Sequence, residues 1–356
     1  MSKIDLLLKE INKNYKEEIA FNGEQASLIK YELVPFSSPR LNYMLYGGLP
    51  MGRMIEFAGA EKSGKTTTAL DMVKQCQLKF QKEYDELTKK KSKDSELVKR
   101  KVCFVDAENT FDVEWANKLG VNVEDIILIK PQEQYAEQIF EIMKSVIETG
   151  EVGLIVLDSV AQLVGKQAFE EDIEKKTYGG IALALTKFCN LVVPLLGKYN
   201  CMCIMINQVR EDLNNPYNQF VTPGGRGFKH NCSVRLMFQQ GSFIDVNNRE
   251  LTRGCENPAG NLVQVKIEKS KVCRSDRRVG YYTLNYLEGI DYITDTIDVL
   301  TQMGIINQRG AYFDLIDIET GEVINKDKIQ GRPSLIKLLK EDKELFNMLA
   351  SKISYN

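Results

Sequence analysis

The chain has 356 residues, of which 43% are hydrophobic and 27% charged, and its formal net charge is −2. That length exceeds one small module, and a globular composition of this size buries a core without disulfide staples. Near-neutral charge gives no chain-wide attraction to nucleic acid, so any DNA site is local, and the single histidine, His230, excludes a His dyad or a multi-His metal site.

Residues 1–30 are charged, lack a signal-peptide core, and set Ile4, Leu7, Leu8, Ile11 and Tyr15 at helical spacing. Such a stripe covers either its own core or a neighbouring subunit, and the sequence leaves both open. Residues 53–58 read as a strand that meets the glycine-rich run GAEKSGKTT; a helix with Ala69, Leu70, Met72 and Val73 follows. Residues 81–101 are rich in lysine with interleaved Glu and Asp, the pattern of a solvated helix extension or loop. Strands are then expected at 102–106, 126–129, 152–157 and 201–206, and helices at 113–119, 135–148 and 181–198. Continuous apolar strands alternating with helices indicate an α/β fold with a parallel sheet covered on both faces. Residues 234–238, 262–268 and 278–284 have no long helices between them and are expected to pair antiparallel. A helix over 290–306, a hairpin from 309–318 with 322–324, and a last helix over 333–352 make a small C-terminal α+β lobe. The eight cysteines include no CxxC pair, which fits reduced, mostly buried thiols in a cytoplasmic protein rather than zinc. No run approaches the ~18 consecutive apolar residues of a membrane span.

The run Gly59, Ala60, Glu61, Lys62, Ser63, Gly64, Lys65, Thr66 satisfies the phosphate-loop pattern G-x-x-x-x-G-K-[ST] at every specified position. Its glycines let backbone N–H groups turn toward phosphate oxygens, and the helix that follows presents the positive end of its dipole. Lys65 can reach the β- and γ-phosphates, and the Thr66 hydroxyl can ligate Mg²⁺. Asp158 ends the apolar run at 154–157, where a carboxylate either holds Mg²⁺ through water or caps a helix. Glu108 also follows a strand end; it either activates a water or is a surface acid.

The segments GGLPMGRMIEFAGAEKSGKTT, CFVDAENTFD, LIVLDSVAQL, IMINQVR and TPGGRGFK resemble, in this order, the motifs of RecA-type DNA recombinases, the family of bacterial RecA and its phage UvsX-like relatives. The resemblance spans about Ser38 to Leu287 and implies a RecA-like P-loop ATPase core. It implies three parts: an N-terminal oligomerisation helix region at 1–30, the core with two DNA-binding loops at 31–287, and a small lobe at 288–356. It further implies an ATP- and Mg²⁺-dependent enzyme that forms filaments on single-stranded DNA, hydrolyses ATP and exchanges strands with duplex DNA. Partners implied are both DNA forms, copies of the chain, and single-strand-binding and loader proteins.

Residue by residue, the resemblance gives Lys65, Thr66 and Thr67 to phosphate and metal, Asp158 to the metal, and Glu108 to the attacking water. It gives Asp112 and Trp115 to the adenine, Gln208 to sensing the γ-phosphate, and Lys269 and Lys271 to the ATP of the neighbouring subunit. DNA falls to two segments, one with Lys175, Lys176, Tyr178 and Gly179, the other with Arg210, Leu213, Gly224, Gly225 and Arg226. The chain departs from the family at Leu183 and Asn190, where arginines are usual and only Lys187 stands near. It departs again at Glu211 and Asp212 in the second loop. Alternative readings on the same core are a hexameric DNA helicase or motor, a recombination mediator, and a signalling ATPase without DNA stimulation.

Overall fold

A computed structural model describes residues 2–15, 18–24, 31–89, 98–170, 180–211, 220–252, 254–274, 276–325 and 327–355, in two units, Met1–Glu32 and Leu33–Asn356. The first unit holds helix α1 (Lys3–Tyr15), none of whose residues is buried. The Asn12 side chain folds the chain back after it, accepting from the backbone N–H groups of Ile19 and Ala20 and donating to Ala20 O. Ile4, Leu6 and Leu7 are exposed.

The second unit begins with β1 (Leu33–Val34), α2 (Pro39–Met44), β2 (Leu49–Pro50), β3 (Met54–Gly59) and α3 (Lys65–Lys89). There follow β4 (Lys101–Asp106), α4 (Val113–Lys118), β5 (Ile126–Ile129), α5 (Ala136–Glu148), β6 (Val152–Asp158), α6 (Lys166–Glu170), α7 (Gly180–Lys198) and β7 (Met202–Gln208). Then come the short pair β8 (Arg210–Glu211) and β9 (Phe220–Val221), α8 (Gly225–Asn231), β10 (Val234–Ile244), β11 (Gly260–Ser270), β12 (Val279–Asn285) and β13 (Gly289–Ile290). The main sheet is nine-stranded, in the order β13-β12-β11-β10-β3-β7-β6-β4-β5. From β10 to β5 neighbouring strands run parallel, whereas β10 to β13 pair antiparallel, as expected.

The central strands are apolar at nearly every position because both faces are covered, with Glu56 and Asn207 buried among them. Alternate residues divide between two cores. Ile55, Phe57, Val102, Phe104, Leu154, Val156, Ile204 and Ile206 pack with Ala69, Leu70, Val73 and Phe80 of α3. Cys103, Val105, Ile155, Leu157, Cys203 and Met205 face α5 and α7 on the other side. By length and mean hydropathy Ile181–Lys198 could cross a membrane, a signal not seen as an unbroken apolar run. Its buried stripe Leu185, Phe188, Cys189, Val192 and Leu196 instead lies on the sheet, while Leu183, Lys187 and Asn190 are exposed.

The C-terminal segment has its own apolar cluster, built by α9 (Tyr292–Gln302), β14 (Ile306–Arg309), β15 (Tyr312–Leu315), β16 (Ile329–Gln330), α10 (Arg332–Glu341) and α11 (Lys343–Ser351). Two expectations change here. The hairpin pairs β14 with β15, so its first strand starts at Ile306, inside the expected helix. The expected helix over 333–352 is two helices, because Asp342 leaves helical geometry and its side chain caps α11 at Leu345 N. The lysine-rich run continues α3 to Lys89; residues 90–97 lie outside the described residues. Asp295 ties this segment to the core, accepting from Ser38 Oγ at 2.5 Å and from Thr283 N at 3.1 Å.

Candidate active site

The parallel strands β3, β7, β6 and β4 end side by side, and their C-terminal ends bring distant motifs together. Ligands in such sheets bind outside those ends. Register places Gly59 beside Gln208 and Asp106 beside Asp158. The phosphate loop therefore opens between β3 and α3, with Gln208, Asp158 and Glu108 in sequence along the same edge.

The loop is held from below. Gly64 has φ +92°, and a Cβ there would meet Tyr282 Oη at 2.9 Å. Thr68 Oγ1 donates to Gly64 O at 2.8 Å and pairs with Tyr282 Oη at 2.8 Å. Gly59 is as crowded, since a Cβ would lie 2.5 Å from Phe238 O. Ala60, Glu61, Lys62 and Thr66 are exposed along the rim, and Ser63 and Lys65 are buried. Lys65 Nζ donates to Ala60 O at 2.6 Å. Burial pushes the Lys65 ammonium pKa down, opposed by the charges of Asp158, Glu108 and Glu61.

Thr66 Oγ1 donates to Asp158 Oδ2 at 2.7 Å. Burial raises the Asp158 carboxyl to about 6; the Thr66 hydrogen bond opposes the rise and the Glu108 charge adds to it. Glu108 is fastened to the same strand end, since the backbone N–H groups of Ala107 and Glu108 donate to Asp158 O at 2.7 and 3.1 Å. Its Oε1 accepts from Ser159 Oγ at 2.5 Å and from Gln208 Nε2 at 3.0 Å. Trp115 Nε1 donates to Thr67 Oγ1 at 3.2 Å, and Asp112 caps α4 by accepting from Trp115 N at 2.9 Å.

A cleft of about 690 Å³ runs along Lys62–Thr67, and its far wall is Gln240, Phe243, Pro258, Asn261, Leu284 and Tyr286. Sequence reasoning missed this wall. Its residues belong to β10, β11, β12 and their connections, carry no motif spacing, and meet the loop only through the order of the sheet. The donor set fits a nucleotide with a metal ion: a buried ammonium, a hydroxyl and a carboxylate in contact, and a cleft beside a loop whose glycines are crowded by its braces.

Lys269 and Lys271 lie elsewhere. Register pairs Lys269 with Arg235 and Arg235 with Glu56, toward the start of β3, so both lysines sit at the opposite end of the sheet from the phosphate loop. Lys269 Nζ donates to Lys229 O and His230 O at 2.8 Å each, and Lys271 Nζ to His230 O at 3.1 Å. Within one chain they do not line the site. Of the expected DNA contacts, Arg210 is exposed on β8, which pairs antiparallel with β9 as a hairpin stem. Gly224 (φ +100°) and Gly225 (φ +74°) open α8, where Arg226 is exposed; this part, expected as loop, is a short helix. Lys175, Lys176, Tyr178, Gly179 and Leu213 lie outside the described residues.

A model of the RecA N-terminal domain matches residues 2–291. The chain belongs to the RecA family. Protein RecA of Bacillus licheniformis is 31% identical over 353 residues, covering 98% of this chain and 90% of the relative. Protein RecA of Chloroherpeton thalassium is 28% identical over 355 residues, covering 99% and 89%. Among solved structures, a RadB recombinase aligns with a TM-score of 0.50 and 21% identity, covering 72% of this chain and 98% of that one, and supports the fold assignment. As a RecA-type recombination protein the chain is a DNA-dependent ATPase, and RecA-family membership carries nucleotide binding with a metal ion, DNA binding and filament formation.

Proposed function

We propose that this RecA-family chain binds ATP with Mg²⁺ in the cleft beside Lys62–Thr67, assembles on single-stranded DNA, and exchanges strands with homologous duplex. The observation that carries the reading is the run of contacts from Thr66 through Asp158 and Glu108 to Gln208 at one sheet edge. Thr66 and Asp158 would hold Mg²⁺, which when bound neutralises phosphate charge. Lys65, desolvated in place, regains partners from phosphate oxygens. Glu108 accepts the proton of the attacking water. Trp115, braced by Thr67, and Asp112 flank the adenine, opposite the wall ending in Tyr286. Gln208 shares its amide donor between Glu108 and the γ-phosphate, and so reports the nucleotide to β8, two residues on.

Lys269 and Lys271, remote from their own loop, act on the ATP of the next subunit, which requires a head-to-tail assembly. The exposed apolar residues of α1 supply that contact, with 1–30, 31–287 and 288–356 as the oligomerisation region, core and lobe. DNA phosphates meet Arg210, Arg226 and the backbone at Gly224 and Gly225, so binding weakens with salt.

The test is the ATPase rate with and without single-stranded DNA at low and moderate salt. The expected result is stimulation that fades as salt rises. Basal hydrolysis without any stimulation would refute the recombinase reading and favour a signalling ATPase on this fold.

A further inference from the structure

Asp106 ends β4 and is 1% exposed, and neither the phosphate loop nor the metal site uses it. The sheet order puts β4 between β6 and β5, so Asp106 stands in a row between Asp158 and Lys130. Asp158 is its register partner, and Lys130 follows Ile129, the partner of Val105. The Asp106 Oδ1 accepts from Thr110 N at 3.0 Å and its Oδ2 from Phe111 N at 3.1 Å. Lys130 Nζ lies 3.7 Å from the same Oδ2. A carboxylate this deeply buried is costly unless it has hydrogen bonds and a charge partner, and these groups supply both.

These bonds complete a clamp on the turn that carries Glu108. On one side, Ala107 N and Glu108 N donate to Asp158 O at 2.7 and 3.1 Å. On the other, Thr110 N and Phe111 N donate to the Asp106 carboxylate. Between the two pairs Asn109 takes φ +55°, a left-handed conformation that the bonds on either side hold in place. The Phe111 ring then meets Phe104 edge-on at 5.0 Å, and Asp112 caps α4, from which Trp115 reaches Thr67. One carboxylate therefore stands behind both Glu108 and the start of the segment that carries Trp115. Position matters here, because a misplacement of about 1 Å in a reacting group can cost about 100-fold in rate.

We infer that Asp106 is a positioning residue for hydrolysis: it fixes the backbone on the far side of Glu108, and Lys130 steadies it by balancing its charge. Both Asp106 oxygens are taken up by the turn's own N–H groups, so it acts through the Glu108 backbone rather than on the nucleotide. Losing those bonds strands the N–H groups of Thr110 and Phe111 and lets Glu108 swing away from the attacking water. Ser159 and Gln208 hold Glu108 only at Oε1, which does not restore the backbone. Burial is the main cause of the raised Asp158 carboxyl pKa and the Asp106 charge a lesser one, so removing that charge does not oppose metal binding. The effect falls on turnover, while nucleotide binding stays with the phosphate loop and its braces.

The inference rests on the proposed role of Glu108 as the base, and the experiment separates the two. ATP turnover and nucleotide affinity are measured for the wild type, Asp106→Asn, Glu108→Gln and the double variant. Asn keeps the volume but sets an amide N–H against one of the two turn donors. The expected result is a kcat about tenfold lower in Asp106→Asn at unchanged nucleotide affinity. Added to Glu108→Gln, the same substitution should cause no further fall, because the two residues act as one unit. Amide hydrogen exchange at Thr110 and Phe111 in the nucleotide-free protein should speed up in Asp106→Asn and stay slow in Glu108→Gln. Wild-type turnover in Asp106→Asn overturns the inference, and so does unchanged exchange at those amides. An equal fall in both backgrounds also overturns it, since that is what general loss of structure produces. Should Asp106→Asn fail to fold, Lys130→Met, at a half-exposed position, replaces it under the same turnover criterion, with Lys130→Arg expected to restore the rate. Wild-type turnover in Glu108→Gln overturns the base assignment and the inference with it, whereas a slow Glu108→Gln beside a fast Asp106→Asn overturns the inference alone.

Discussion

Glu108→Gln separates chemistry from binding at this site. The side chain keeps its length and one acceptor oxygen, so the Ser159 Oγ and Gln208 Nε2 hydrogen bonds can persist. What is lost is the charge on the acceptor and the capacity to take a proton. Each such bond contributes about 1 kcal/mol net, and Glu108 is only half-buried, so stability should fall by less than about 2 kcal/mol. Turnover should fall much further. A positioned general base contributes about 10²- to 10⁴-fold, which corresponds to about 3–5 kcal/mol of barrier. Metal binding should not suffer, because the Glu108 charge helps raise the Asp158 carboxyl pKa, and its removal lets Asp158 ionise more readily. Nucleotide binding is read from the fluorescence of Trp115, the single tryptophan, whose indole N–H bonds Thr67 beside the phosphate loop. Turnover is read from single-cycle ATP hydrolysis. Hydrolysis at the wild-type rate would refute the role assigned to Glu108. So would a loss of turnover matched by an equal loss of nucleotide affinity.

Deleting residues 1–20 should abolish filaments, seen by electron microscopy, while leaving a folded monomer, since Leu33–Asn356 carries its own apolar clusters; filaments of normal length would refute the assignment of Ile4, Leu7, Leu8 and Ile11 to the head-to-tail contact. Burial holds the Asp295 carboxyl well above its ordinary 3.8, against the Ser38 hydrogen bond. The folded state therefore binds that proton more tightly than the unfolded chain, and the contribution present below 3.8 is lost as pH rises above it. Asp295→Asn should accordingly gain stability over the wild type as pH increases from 4 to 8 in urea unfolding, and a gap independent of pH would refute the cause given.

The phosphate loop was legible residue by residue because its chemistry is carried by contiguous backbone between a strand and a helix, and Gly59 to Thr66 state it locally. The parallel part of the sheet was legible for a related reason. Strands buried on both faces are apolar at nearly every position, as around Phe104, Ile155 and Ile204, with Glu56 of β3 and Asn207 of β7 as buried polar exceptions. The places of Asp158 and Glu108 at strand ends followed from the same pattern, but their mutual contact did not. It depends on β4 pairing with β6 in a register that sets Asp106 beside Asp158. The break at Asp342 has a local signal, an acid able to cap, but apolar periodicity runs through it and masks the stop.

Other features had no signature in the sequence at all. The cleft wall of Gln240, Phe243, Asn261 and Tyr286 exists because β10 pairs with β3, bringing residues about 180 or more positions downstream against the phosphate loop. The same pairing sets Arg235 opposite Glu56, whose carboxylate also accepts from Asn207 Nδ2. Sequence determined the composition of each strand and the chemistry of each loop, since propensity, burial and turn geometry act over a few neighbouring residues. Tertiary structure decided which loops face one another, because strand order and register bring together side chains that no short-range pattern relates.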